Sequence, residues 1–82
     1  MRLDKFLKVS RIIKRRTVAA EACGSEYVRV NGKTAKASYA VKVGDIITVK
    51  YGGSSTSFRV KELDEKATKE KSSLLYEVVG NP

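Results

Sequence analysis

The sequence contains no histidine and no tryptophan, and its 82 residues include one cysteine and one proline. Without histidine, the side chain that titrates near neutral pH is missing, and with it the commonest metal ligand. Cys23 has no second cysteine for an intramolecular disulfide or a zinc site, and no imidazole to activate its thiol. It reads as a small buried apolar residue, and a lone cysteine fits a reducing cytoplasm. No glycine-rich phosphate fingerprint occurs. The 9 carboxylates are scattered, and none sits in an apolar setting that would raise its pKa toward a catalytic value. No apolar run approaches the roughly 18 residues of a membrane span. Charges at Arg2, Asp4 and Lys5 interrupt what would have to be a signal-peptide core. The expectation is a non-enzymatic chain with no cofactor, no metal, no small-molecule substrate and no membrane partner.

What the sequence has is positive charge. Lys and Arg number 17 against 9 acids, for a formal net charge of +8. So large a surplus on so short a chain makes it a natural ligand for a polyanion. The charge is unevenly spread. Residues 2–16 carry seven bases, Arg2, Lys5, Lys8, Arg11, Lys14, Arg15 and Arg16, against Asp4 alone. Residues 62–82 reverse the balance, with three bases and five acids. Arg11, Lys14, Arg15 and Arg16 stand too close to be relieved by local pairing. Like charges on neighbouring helical positions destabilise by about 0.2–0.5 kcal/mol per pair. A polyphosphate would reverse that penalty and release counterions, and arginine grips phosphate in a bidentate way.

Arg29, Lys33, Lys36 and Lys42 form a second basic zone around Asn31-Gly32. This zone has two readings of equal weight: a hairpin reaching along an RNA backbone, or lysines that protect an exposed sheet edge from aggregation. Tyr27, Tyr39 and Tyr51 are equally open, as stacking platforms for unpaired bases or as strand residues covering the core.

The pattern along the chain predicts an α+β fold. Leu3, Phe6 and Leu7 lie at i, i+3 and i+4, which predicts a helix over 1–10. A basic turn over 11–16 should tuck Ile12 and Ile13 inward. A second helix is expected over Thr17–Cys23, closed by Gly24 at the left-handed position beyond a helix end. From Val28 the period becomes two, and Asn31-Gly32 is a strong hairpin signal. Lys33–Ala37 reads as a short extended segment, Gly44-Asp45 as a turn, Ile46–Tyr51 as a strand and residues 52–55 as a loop tip. Strands over 56–63 and 74–79 are expected to complete a small sheet, with a loop or weak helix over 64–71 between them.

Arg2-Leu3-Asp4-x-x-Leu7, the basic opening of a helix at Arg16-Thr17-Val18-Ala19, then Gly24, Val28-x-Val30-Asn31-Gly32 and Val41-x-x-Gly44-Asp45-Ile46 occur here in one order. Together they resemble the S4 RNA-binding domain, named after small-subunit ribosomal protein four, over about residues 1–50. The resemblance implies two antiparallel helices packed on a small bent, mostly antiparallel sheet of about five strands, the alpha-L motif. It implies one RNA-binding domain over 1–82. Leu3, Phe6, Leu7, Val18, Ala19 and Ala22 would join helices to sheet, and Asp4 would cap the first helix or pair with a nearby arginine. Many members place Ser or Thr before the arginine that opens the second helix. Arg15 stands there instead and forgoes a cap, a contribution of about 1 kcal/mol, while adding charge.

The run from Met1 to Arg11 and Lys14–Ala19, with Asn31-Gly32 and Ala35–Ser38, is further similar to the small stand-alone S4 proteins of bacterial ribosome-associated quality control. That resemblance implies binding to 23S rRNA and tRNA on a stalled large ribosomal subunit, and support of alanine tailing by RqcH. Its RNA contacts would be Arg2 and Arg16, with Arg11, Lys14 and Arg15 close by; the charge pattern adds Lys5 and Lys8 to the expected RNA-binding residues, and Lys33 and Lys36 on the hairpin. The alternatives are a heat-shock or ribosome-assembly factor of the same fold, and a basic adaptor for other polyanions.

Overall fold

The computed structural model describes residues 1–25, 27–51 and 53–80. Leu3, Phe6 and Leu7 form the inward stripe of the first helix, α1 (Leu3–Val9), and all three are fully buried. Burying a side chain of this size stabilises by about 1.5–3 kcal/mol. The helix is shorter at both ends than its apolar pattern predicts. At its close, Ser10 is the C-cap and Arg11 adopts φ 62, with its N–H bonded to the Lys8 carbonyl at 3.1 Å. This is the left-handed position past a helix end where glycine is the ordinary occupant. Ile13 is buried beyond it and Ile12 packs against the core, as the basic turn requires.

The second helix, α2 (Arg16–Gly24), turns Ala19 and Cys23 inward, four residues apart. Two expectations fail here. Val18 does not join helix to sheet, being 46% exposed. It sits about 100° around the helix from Ala19, off the inner stripe. Gly24 is the last helical residue and not a left-handed stop; positive φ among the described glycines belongs to Gly32 and Gly44. The chain leaves α2 through Ser25, whose N–H bonds the Glu21 carbonyl at 2.9 Å.

Five strands follow: β1 (Val28–Val30), β2 (Lys33–Thr34), β3 (Ile46–Tyr51), β4 (Ser54–Val60) and β5 (Tyr76–Gly80). They form one antiparallel sheet in the order β2-β1-β3-β4-β5. Asn31 at φ 53 and Gly32 at φ 81 build the two-residue turn between β1 and β2, a type I′ geometry in which both residues need positive φ. Only Lys33–Thr34 of the expected 33–37 segment pairs as a strand. Val28, Val30, Ile47 and Val49 face the helices and share one core with α1 and α2.

The later strands are offset from their expected bounds. β4 begins two residues early and ends at Val60, because the Lys61 and Glu62 amides turn to the Leu75 carbonyl, at 2.8 and 3.3 Å. β5 begins at Tyr76, since Leu74 and Leu75 are still bonded into the turn behind a short helix, α3 (Lys69–Ser72). The Thr68 hydroxyl caps α3 by accepting the Lys71 amide at 3.3 Å. Leu75 is fully buried while Leu74, Val78 and Val79 are exposed. Phe58 meets Tyr76 edge-on, ring centroids 5.2 Å apart. No helix among the described residues is long and apolar enough to cross a membrane.

Candidate nucleic-acid interface

The basic N-terminus is held in place by main chain. The Leu3 and Asp4 amides donate to the Tyr39 and Ala37 carbonyls at 2.8 and 3.2 Å, and the Val41 amide donates to Met1 at 2.9 Å. Arg2 forms an isolated bridge with Ala40 and is the N-cap of α1. Its guanidinium donates through Nε to Asp4 Oδ1 at 3.2 Å and through Nη2 to Oδ2 at 3.3 Å. Asp4 is buried, whereas the Arg2 side chain is 54% exposed. The pair orients Arg2 and offsets part of its charge, as the pattern Arg-Leu-Asp allowed. Asp4 Oδ1 also accepts the Lys5 amide at 2.8 Å, and a carboxylate in the first turn suits the helix dipole.

Lys8, Arg11 and Lys14 converge. Together with Val9, Glu65, Lys66 and Ala67 they line a cleft of about 360 Å3 between the end of α1, the basic turn and the 64–67 loop. Four cations there face one carboxylate. Glu65 also meets Lys5 at 3.5 Å, an exposed pair of the kind that contributes little. The loop that brings Lys66 is shaped by Asp64, whose Oδ1 accepts the Lys66 amide at 2.9 Å. The Lys71 ammonium at 2.9 Å from Asp64, with the Lys66 amide, holds that carboxyl below its ordinary value.

Arg15 is exposed at the N-cap of α2, with φ −116 and ψ 132 and no side-chain cap bond. The helix therefore opens beside Lys14 and Arg15 with no cap bond from its N-cap side chain, an arrangement that favours an anion. Arg16 is the first helical residue; its side chain, like that of Tyr51, lies outside the described residues.

Lys33 and Lys36 do not join this cleft. They line a separate groove of about 620 Å3 with Val30, Asn31, Ala35 and Tyr39. A polar latch stands beneath it. Buried Asp45 accepts from Asn31 Nδ2 at 3.1 Å, the Tyr39 hydroxyl at 2.9 Å and the Lys42 amide at 2.9 Å. Asn31 Oδ1 in turn accepts the Ile46 amide at 3.0 Å. Burial pushes the Asp45 carboxyl up, but these hydrogen bonds outweigh it and leave it below the ordinary carboxylate value. The same bond raises the Tyr39 phenol. The two sequence motifs, Val-x-Val-Asn-Gly and Val-x-x-Gly-Asp, are thus one structural unit joined through Asn31 and Asp45.

The family model of the S4 domain matches residues 1–47. The chain belongs to the S4-domain family. This S4 protein is 49% identical to the RQC P-site tRNA stabilizing factor of Halalkalibacterium halodurans, a match covering 95% of this chain and 89% of the relative. It is 47% identical to the factor of the same name from Bacillus subtilis, over 96% of this chain and 92% of the relative. Among solved structures, the trimeric Heat Shock Protein 15 of Vibrio cholerae superposes with a TM-score of 0.88 at 28% identity, over 96% of this chain and 81% of that one. The solution structure of the hypothetical protein HP1423 gives 0.82 at 30% identity, over 98% of each chain. The S4 fold, helices on an open five-stranded antiparallel sheet, is common to all three.

One residue of the S4 surface escaped the sequence, and two that the sequence left open are placed by the fold. Lys66 reaches the N-terminal cluster only through tertiary folding, and its local sequence carries no sign of it. Tyr39 is a latch residue with its hydroxyl bonded to Asp45. Tyr27 is 52% exposed and belongs to a third surface, on the sheet.

Proposed function

We propose that this chain is a non-catalytic RNA-binding factor of ribosome-associated quality control, which grips rRNA of the large ribosomal subunit and a tRNA bound there. The reading is carried by the near full-length likeness to relatives named RQC P-site tRNA stabilizing factor, at 44–49% identity. The cleft supplies a mechanism. Lys8, Arg11, Lys14 and Lys66 present cations from three segments, and the open start of α2 adds backbone amides beside them. A phosphate backbone entering there would release counterions, the main source of affinity in such interfaces. Arg2, pre-set by Asp4, would add a directional contact, with Lys5, Arg15 and Arg16 flanking it and Lys33 and Lys36 extending the surface along the hairpin. The finer assignment is to 23S rRNA, to tRNA on a stalled subunit and to support of RqcH in the cytoplasm.

The test is crosslinking of the full chain to purified large subunits with and without bound tRNA, followed by sequencing of the attached RNA. Crosslinks to 23S rRNA and tRNA through Lys8, Arg11 and Lys14 are expected. Equal crosslinking to any duplex of similar size would overturn it. A second reading, a heat-shock or assembly factor, draws on the likeness to Heat Shock Protein 15; binding indifferent to tRNA would favour it.

A further inference from the structure

The sheet face turned from the core carries a surface that the proposed function does not use. Pleating turns Ile47 and Val49 into the core and Thr48 and Lys50 to the other side. On that side, Arg29 stands across from Thr48 on one strand and Thr34 on the other, and Lys50 stands across from Ser55. Tyr27 lies one residue ahead of β1. Its carbonyl accepts the Lys50 amide at 2.8 Å and its amide donates to Ala22 at 3.0 Å, so its backbone is fixed from both sides while its ring is 52% exposed.

Tyr27, Arg29, Thr48 and Lys50, with the small residues Ser25, Gly32 and Ser55, line a concavity of about 640 Å3. That volume falls within the range of ligand sites, roughly 300–1,000 Å3. None of the described lining residues is acidic. Neither Arg29 nor Lys50 has a side-chain hydrogen bond or ion pair among the described residues, in contrast to Arg2, Lys5, Arg59 and Lys71, which all do.

We propose that this sheet face is a second nucleic-acid site, for a single-stranded RNA segment, with an unpaired base stacked on Tyr27 and flanking phosphates on Arg29 and Lys50. The chemistry selects an unpaired strand. An aromatic ring beside two cations offers a stacking platform and an electrostatic track, and a duplex keeps its base faces inside its own stack. Thr48 already shares its hydroxyl with Ser57 at 2.9 Å, so the face offers stacking and charge more than base-specific hydrogen bonds. Two surfaces with no lining residue in common would let one small chain hold a structured RNA and an unpaired strand together.

The test uses the full chain, a short unstructured RNA oligonucleotide and an RNA duplex of the same length, with binding read by fluorescence anisotropy. Tyr27→Ala is expected to weaken the single strand about tenfold, and Tyr27→Phe to leave it within about twofold, since the ring alone stacks. Arg29→Ala with Lys50→Ala should lower the salt slope by about 1.4, at roughly 0.7 per phosphate on a single strand. Both effects should persist when Lys8 and Lys14 are alanine. The proposal falls if Tyr27→Ala binds like the parent, if Tyr27→Phe loses as much as alanine, or if the duplex is weakened equally. It also falls if the Tyr27 effect disappears in the Lys8→Ala, Lys14→Ala background, which would place the oligonucleotide in the helical cleft. A failure of this kind leaves crosslinking of the helical cleft to large subunits untouched.

Discussion

Arg11 combines a backbone penalty with a proposed binding role, so replacing it should move stability and affinity in opposite directions. Its φ of 62 places a β-carbon-bearing residue in the left-handed region, at an expense of about 1–2 kcal/mol. Glycine removes that penalty but raises unfolded-chain entropy, worth about 0.4–1 kcal/mol the other way. Loss of one charge from a cleft shared with Lys8, Lys14 and Lys66 adds a few tenths, roughly 0.2–0.5 kcal/mol. Arg11→Gly should therefore stabilise the protein by about 1 kcal/mol, or roughly 4–8 °C in Tm for a domain of this size. RNA binding should weaken, with the salt slope down by about 0.9 for one lost phosphate contact. Arg11→Ala supplies the control: it keeps the strained backbone, so it should lose the same affinity and gain no more than the roughly 0.2–0.5 kcal/mol of relieved repulsion. The assay is thermal unfolding by circular dichroism beside RNA binding at several salt concentrations. A glycine variant no more stable than the alanine variant, or one binding RNA like the parent, would refute the reasoning.

Three further outcomes follow from the fold. Asp45 has its folded pKa depressed, so its contribution is complete above its unfolded pKa, about 4, and is lost as pH falls through the lower folded value. Acid unfolding of the parent should steepen below about pH 4, and Asp45→Asn, less stable at neutral pH, should be flatter in that window; identical curves would contradict the latch. Burial, aided by the nearby Asp4 charge, pushes the Cys23 thiol up to about 11, so a disulfide reagent at mildly alkaline pH should label it only after denaturant is added. Prompt labelling of the native protein would show an accessible thiolate. Val18→Lys should shift stability by no more than about 0.5 kcal/mol, whereas Phe6→Ala should remove about 3–5 kcal/mol by emptying the centre of the core, and a large effect at Val18 would restore it to the helix–sheet contact.

The parts of the fold visible in the sequence are those set by local period and turn chemistry. Leu3, Phe6 and Leu7 mark α1 because their spacing allows one inward stripe, and Asn31-Gly32 marks a hairpin because few other pairs accept two positive φ values. The errors have tertiary causes. Val18 is apolar and adjacent to a core alanine, yet the sheet reaches only the Ala19–Cys23 line. Gly24 resembles a helix stop, but the last turn closes through Ser25. The bounds of β4 and β5 shift because the segment over 61–62 pairs with Leu75, a contact set by the turn after α3. The candidate site divides in the same way. Lys8, Arg11 and Lys14 were legible as a cluster of like charge near in sequence. Lys66 was hidden, because a loop 50 or more residues away in the chain brings it there. The motif residues Asn31 and Asp45 were visible as letters, but the bond that joins them appears only once β1 and β3 pair.

In the proposed function, the cleft walled by Lys8, Arg11, Lys14 and Lys66 grips RNA phosphates of the large subunit. The most direct measurement of that grip is the salt dependence of binding to tRNA-bearing large subunits, for the parent and for a Lys8→Ala, Lys14→Ala, Lys66→Ala variant of equal Tm. At about 0.9 per phosphate contact, the variant's slope should fall by about 2.7, with the difference in affinity greatest at low salt. An unchanged slope, with affinity lost equally at all salt concentrations or not at all, would contradict it.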